Sequence, residues 1–240
     1  KLVSVIFANN EIGTINRMKE IGAFCKSRNI LLHTDATQAL GKTPIDVKAM
    51  NIDLLSISAH KLYGPKGVGA LFIRKGVEIE SLLFGGGQEK GLRPGTINVA
   101  GVVGLGAACE RAIQLMNDEC TQLEKWRDYI LSEIKKTGAR VQLNGHPRER
   151  LCNNLSLTFP DLQADIMTFS LSGLALSSSS ACTSGDFKIS HVLEAIGMSP
   201  LNAKKTLRIG LGRFTTESDV KIAAEKLCQM LKKNSGESAV

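Results

Sequence analysis

Ser58-Ala59-His60-Lys61-Leu62-Tyr63-Gly64-Pro65-Lys66-Gly67 stands between two short apolar runs, Ile-Asp-Leu-Leu-Ser-Ile at 52–57 and Val-Gly-Ala-Leu-Phe-Ile at 68–73. Both runs have the length and composition of buried strands, and Gly64-Pro65 supplies a turn between them. Lys61 lies where the first strand ends, beside small or aromatic neighbours and no carboxylate. Burial at such a place disfavours the ammonium form and frees an amine for Schiff-base chemistry. Taken alone, a lysine in a strand connection is more often simply solvated.

A second stretch changes that weighting. Leu31-Leu32-His33-Thr34-Asp35-Ala36-Thr37-Gln38-Ala39-Leu40-Gly41 reads as an apolar strand ending in an acid, with a glutamine three residues later. An aspartate there can cap a helix. It can also hold the protonated ring nitrogen of a pyridoxal cofactor, the arrangement that makes the ring an electron sink. One helix-plus-strand unit between Asp35 and Lys61 brings both to the same edge of a parallel sheet.

Outward from these two stretches, the first hundred or so residues alternate strand and helix patterns, as a doubly wound α/β sheet requires. Strands are expected at 3–8, 30–33, 53–58 and 69–74, with a helix at 16–27 and a short one near Gln38. From 99 to 136 the period is helical, and Thr137-Gly138 stops it. The polar stretch 117–125 is read as the passage into a second domain. The expected division is 1–117, a portion of a large α/β domain, and 118–240, a smaller α+β domain. The latter reads as strands at 141–143, 154–158, 175–177 and 206–210 with helices at 163–172, 190–196 and 217–232. A polar, disordered tail is expected from Lys233.

Composition sets the bounds. The 240 residues are 43% hydrophobic and 22% charged, ordinary for a globular chain. The net charge of +7 is scattered without aromatic interleaving, so nucleic acid is not an expected partner. No stretch is read as long and apolar enough for a membrane span, and none as a secretory signal. The cysteines at 25, 109, 120, 152, 182 and 228 show neither zinc-ligand nor disulfide-framework spacing. Thiols in that number point to a reducing compartment, cytoplasmic or an organelle matrix. Cys25, Cys109 and Cys228 fall on helical patterns and read as small core residues.

Seven motifs occur in order: Asn9-Asn10-Glu11-Ile12-Gly13, 33–41, 58–67, Gly85-Gly86-Gly87-Gln88-Glu89, Arg93-Pro94-Gly95-Thr96, Ser180-Ala181-Cys182-Thr183-Ser184 and the run from Arg208 to Thr215. Together they resemble the fold-type I pyridoxal-phosphate enzymes, and within them the cysteine desulfurases of the NifS/IscS type in the class V aminotransferase family. The likeness runs from about residue 3 to about residue 230. It implies an α/β large-domain portion followed by a smaller α+β domain, covering roughly the last 60% of such an enzyme. The Gly-rich phosphate loop and the side chain stacked on the ring, which such enzymes place earlier, have no counterpart in these residues.

The resemblance also implies roles. Lys61 would carry pyridoxal 5'-phosphate and then act as the base for the substrate's α-proton. Asp35 would hold the pyridinium, Gln38 the ring hydroxyl, and Ser58 and His60 the phosphate. Thr96 would reach the phosphate of a second subunit, implying a homodimer. Arg208, with Asn10, would bind the carboxylate of L-cysteine through a bidentate fork; Arg213 competes for that part. Cys182, among small polar residues on an exposed, mobile loop, would take the sulfur as a persulfide and pass it to an acceptor protein, for iron–sulfur cluster or thio-cofactor assembly. The family has Gly where Ser179 stands, which restricts one backbone position of that loop. Selenocysteine lyase shares most of these motifs. A shortened, non-catalytic binding module is the alternative from a different class.

Overall fold

In the computed structural model, Leu2–Ile6 (β1), Leu31–Asp35 (β2) and Leu54–Ser58 (β3) lie side by side and parallel. Ile6 is opposite Asp35, and Asp35 is opposite Ser56. Gly69–Ile73 (β4) pairs antiparallel with β3, Ser58 facing Gly69. The sheet is therefore mixed, in the order β1-β2-β3-β4. The short connection 59–68 explains the reversal, because a parallel return needs a crossover of a dozen residues or more. The structure describes residues 1–162, 173–174, 176–178 and 189–236.

These residues fall into two compact units, one of Lys1–Ala8 and Ile15–Asn117, the other of Asn9–Thr14 and Asp118–Val240. In the first, Phe7, Leu32, Thr34, Ala36, Ile52 and Ala59 are buried about the sheet. Met18–Ser27 (α1) buries Met18, Gly22 and Cys25. Gly22 is required by close approach, since a Cβ there would lie 1.8 Å from the Met50 carbonyl oxygen. No helix forms near Gln38. Residues 37–42 are turns, so the link from β2 to β3 is not the helical unit expected from sequence. Arg74 fixes that link instead, donating to Asp53 Oδ1 at 3.0 Å and to the Val47 and Ile52 carbonyls, both at 2.7 Å. Asp53 Oδ2 in turn accepts from Leu32 N–H at 2.9 Å.

Val99–Lys136 (α2) has the bounds expected from its helical period, and the polar stretch 117–125 lies within it where the two units divide, at 117/118. Its apolar portion corrects an expectation. An 18-residue window reaches a mean hydropathy of 1.3, enough by length and composition to cross a membrane. Glu110 and Arg111 interrupt the run and hide this in the sequence. Leu62, Ala108 and Ala112 form a small buried cluster, joined by Leu40 and Cys109, so this part of α2 packs within its own unit.

The second unit is built on an antiparallel sheet in the order β5-β6-β8-β7, from Gln142–Leu143 (β5), Asn154–Thr158 (β6), Ser177–Ser178 (β7) and Thr206–Gly210 (β8). Leu155, Leu157, Leu207 and Ile209 face a core shared with Ile130 and Ile134 of α2 and with Val220 and Leu227 of Glu217–Gly236 (α5). Asn154, Ser156 and Thr158 alternate to the other face and are buried as well. There Asn144 Nδ2 donates to Thr158 Oγ1 at 2.9 Å, and the Thr158 and Thr206 hydroxyls are 2.7 Å apart.

Two short helices precede β8. His191–Ala195 (α3) is capped by Ser190, and Pro200–Lys204 (α4), absent from the sequence reading, by Ser199 with Pro at its first turn. α5 continues to Gly236, so the polar tail expected from Lys233 begins as helix. The helix expected at 163–172 and Ala175 of the strand expected at 175–177 lie outside the described residues.

Candidate active site

Three parallel strands end at one edge of the first unit, and the ends of β2 and β3 carry the chemistry. Ligands of open α/β sheets bind at such carboxyl edges. Asp35 closes β2, and its Oδ1 accepts from Thr37 N–H at 2.8 Å. That bond caps a turn, where the alternative expected for this residue was the cap of a helix. A carboxylate accepts through both oxygens, so it leaves the ring-nitrogen role intact. Gln38 follows on the turn, half-buried.

β3 ends at Ser58 and passes into a 3-10 turn, Ala59–Leu62. Ala59 and Leu62 are buried, which turns His60 and Lys61 outward. Lys61 is exposed, contrary to the burial expected from its place after an apolar strand. In the tight turn that follows the strand only every third residue returns to the core, here Ala59 and Leu62. Tyr63 takes a left-handed conformation, φ 64°, and Gly64 N–H closes the turn on Ala59 O at 3.0 Å. Ser58 Oγ lies 2.8 Å from His60 Nδ1, a hydroxyl and an imidazole side by side.

One feature of this sheet escaped the sequence reading. Ser4 Oγ is 2.7 Å from His33 Nδ1, and His33 Nε2 is 3.3 Å from Ser56 Oγ, forming a polar row across β1, β2 and β3. His33 and Asp35 share a face by the two-residue period, as do Ser56 and Ser58. That period was the available signal.

The donor set fits a pyridoxal phosphate: a carboxylate for the ring nitrogen, a hydroxyl with an imidazole for a phosphate, and an outward amine for the aldehyde carbon. Asp35, Ser58, His60 and Lys61 are thus brought to one edge. Thr96, in the same unit, is exposed on the irregular segment before α2.

Asn10 and Arg208 belong to the second unit. Arg208, in the middle of β8, donates from an Nη to the Asn10 backbone carbonyl at 3.2 Å, so the two expected substrate residues are neighbours. Arg213 is engaged differently, in a two-point ion pair with Glu119. Ser177 of β7 is opposite Arg208. Cys182, five positions further along the sequence, lies outside the described residues.

The loop Asn9–Thr14 is held on this unit by polar contacts with no sequence signature. Asn154 Nδ2 donates to Glu11 O at 3.2 Å, Leu151 N–H to Gly13 O at 2.8 Å and His146 N–H to Thr14 Oγ1 at 2.9 Å. Gly13, φ +75°, leaves only 2.6 Å between a Cβ position and Asn154 Oδ1. Beneath the loop lies Arg150, 4% exposed, donating to the Asn144, His146, Ile12 and Asn154 carbonyls at 3.1–3.3 Å. Burial, and then the neighbouring Arg127 charge, lower its pKa to about 10, so it stays cationic at neutral pH. Arg150→Met keeps much of the volume and strands these acceptors. The expected loss in unfolding free energy is about 3 kcal/mol, read as a lower urea midpoint at an unchanged m-value.

The sequence profile of the aminotransferase class-V family matches residues 1–222. Among curated proteins, a cysteine desulfurase IscS of Clostridium botulinum is 48% identical over 236 residues, spanning 96% of this chain and 59% of the relative. A cysteine desulfurase of Mus musculus is 47% identical over 97% of this chain and 51% of its own length. The chain thus spans a little over half the length of these relatives. Among solved structures, a NifS-like protein superposes with a TM-score of 0.85 at 36% identity, over 97% of this chain and 61% of that one. An SspA solved in complex with cysteine reaches 0.72 at 36% identity, over 90% and 60%.

Proposed function

Since the chain belongs to the aminotransferase class-V family, we propose that it works as a pyridoxal-phosphate-dependent cysteine desulfurase, converting L-cysteine to L-alanine and passing the sulfur to Cys182. The observation that carries the reading is the gathering of Asp35, Ser58, His60 and Lys61 at the carboxyl edge of two adjoining parallel strands. The names of the relatives support the choice of reaction. When bound, the cofactor would supply an electron sink for the carbanion left on proton loss. Asp35 would keep the ring nitrogen protonated, Gln38 would bind the ring hydroxyl, and Ser58 with His60 would bind the phosphate. Lys61 Nζ would hold the aldehyde carbon and, once displaced, take the α-proton. Arg208 and Asn10 would orient the substrate carboxylate, and the Cys182 thiolate would take the sulfur and deliver it to an acceptor protein.

Thr96 would act across a homodimer. Leu82, Phe84, Val99 and Val103 are largely exposed in the same unit, an apolar surface of the kind that subunit contacts cover. Sedimentation is expected to give a dimer.

The direct test is to supply L-cysteine with a thiol reductant to the intact protein and assay alanine and sulfide, which are expected in equal amounts. Alanine from selenocysteine but none from cysteine would make the protein a selenocysteine lyase instead. No product from either would remove the enzymatic reading. A graded prediction accompanies it. Arg208→Lys loses the planar fork but keeps the charge, so KM for cysteine is expected to rise about ten- to hundredfold, the cost of a charge-assisted hydrogen bond.

A further inference from the structure

The Cys152 thiol points at the Cys120 thiol, with 2.8 Å between the two sulfurs. Cys120 lies on α2 and Cys152 just ahead of β6, both within the second unit. A disulfide bond length is about 2 Å, so less than 1 Å of approach separates this contact from a bond. Access is one-sided: Cys152 is 2% exposed, whereas Cys120 is only half-buried. The surroundings are well ordered by hydrogen bonds. Arg127 donates to Leu151 O at 3.2 Å, and Asn153 exchanges two bonds with Leu211, at 3.1 and 3.0 Å. Glu119, next to Cys120, holds Arg213. The pair therefore joins α2 to the residues leading into β6, and the neighbours of both cysteines, Glu119 and Asn153, bond to the segment that follows β8.

We propose that Cys120 and Cys152 form a redox-convertible dithiol, which low-molecular-weight disulfides close into a bond stapling α2 to the residues leading into β6. The more accessible Cys120, as its thiolate, attacks the small disulfide, forming a mixed disulfide and releasing one small thiol. The Cys152 thiolate then attacks the Cys120 sulfur, closing the protein disulfide and releasing the second small thiol. Two protein thiols give up two electrons, and one small disulfide becomes two thiols. Cys25 is 1% exposed, and burial raises the Cys109 and Cys228 pKa values, so these three react less readily. The proposal is independent of the desulfurase reading.

The intact, fully reduced protein is equilibrated in glutathione buffers of increasing oxidised fraction, quenched in acid, alkylated and digested without reduction. The expected product is a peptide pair joined through Cys120 and Cys152, which grows with the oxidised fraction and vanishes on adding dithiothreitol. In Cys152→Ser, Cys120 is expected to retain one glutathione. In Cys120→Ser, Cys152 is expected to stay unmodified while circular dichroism remains native. Failure of the joined pair to form at any ratio in natively folded protein overturns the proposal. So does joining of either residue to Cys182, or glutathione reaching Cys152 as fast in Cys120→Ser as it reaches Cys120 in Cys152→Ser.

Discussion

Lys61→Ala is expected to abolish covalent attachment of pyridoxal phosphate and, with it, all turnover of cysteine. The side chain is exposed on a turn whose inward residues, Ala59 and Leu62, are 0% and 3% exposed, Leu62 packing with Ala108 and Ala112. Truncating an exposed lysine there leaves that packing intact, so the stability change is expected within about 0.5 kcal/mol. The loss of attachment is then a chemical result and not an unfolding one. Cofactor held by Asp35, Ser58 and His60 without a covalent bond should remain detectable by its absorbance and should wash out on dialysis. Lys66, exposed on the same connection, is the natural competitor. Borohydride reduction of the parent protein followed by peptide mapping separates them: the cofactor mass is expected on Lys61, and finding it on Lys66 would displace the assignment.

The parts of the fold legible in the sequence were those fixed by local pattern. The run 154–158 alternates polar and apolar residues, and its strand ends fall where the pattern ends. The helix 99–136 is bounded by a Thr-Gly stop. What failed depended on geometry between elements. The antiparallel β4 follows from the ten residues available to return from Ser58 to Gly69, a length argument that was open to the sequence reading and not used. The missing helix near Gln38 reflects residues whose turn is stabilised by Asp35 and passes through Gly41, φ +71°, before a proline at 44.

Non-local polar contacts left no trace at all. Arg150 and Ile12 are joined across 138 positions, and Asn154 and Glu11 across 143. Composition gave no sign that a charged residue would be the floor beneath the Asn10 loop. Cys120 and Cys152, 32 residues apart, likewise match no ligand or disulfide spacing, and only the packing of α2 beside β6 reveals them. The exposure of Lys61 follows the same logic, because the sequence showed a strand end but not the phase of the turn that follows.

Cys182→Ser is expected to cut alanine formation from cysteine by orders of magnitude while leaving the earlier steps in place. Proton removal is assigned to Lys61 and substrate orientation to Arg208, and neither uses the thiol. The absorbance change produced by cysteine should therefore survive in the variant. Sulfur transfer needs a soft, readily ionised nucleophile, and a serine hydroxyl ionises far less readily than a thiol. Selenocysteine, whose selenium leaves more easily, should be spared. Replacing one small polar side chain among Ser177-Ser178-Ser179-Ser180 and Thr183-Ser184 by another of nearly the same size gives little reason for a packing defect. The readout is the mass of peptides from protein treated with cysteine and then alkylated, where one added sulfur is expected on Cys182. The Cys120–Cys152 pair supplies a built-in control, since neighbouring thiols can also accept sulfur. Persulfide on either of those residues, with alanine still formed at the parent rate in Cys182→Ser, would move the nucleophile from Cys182 to the pair that joins α2 to the residues leading into β6.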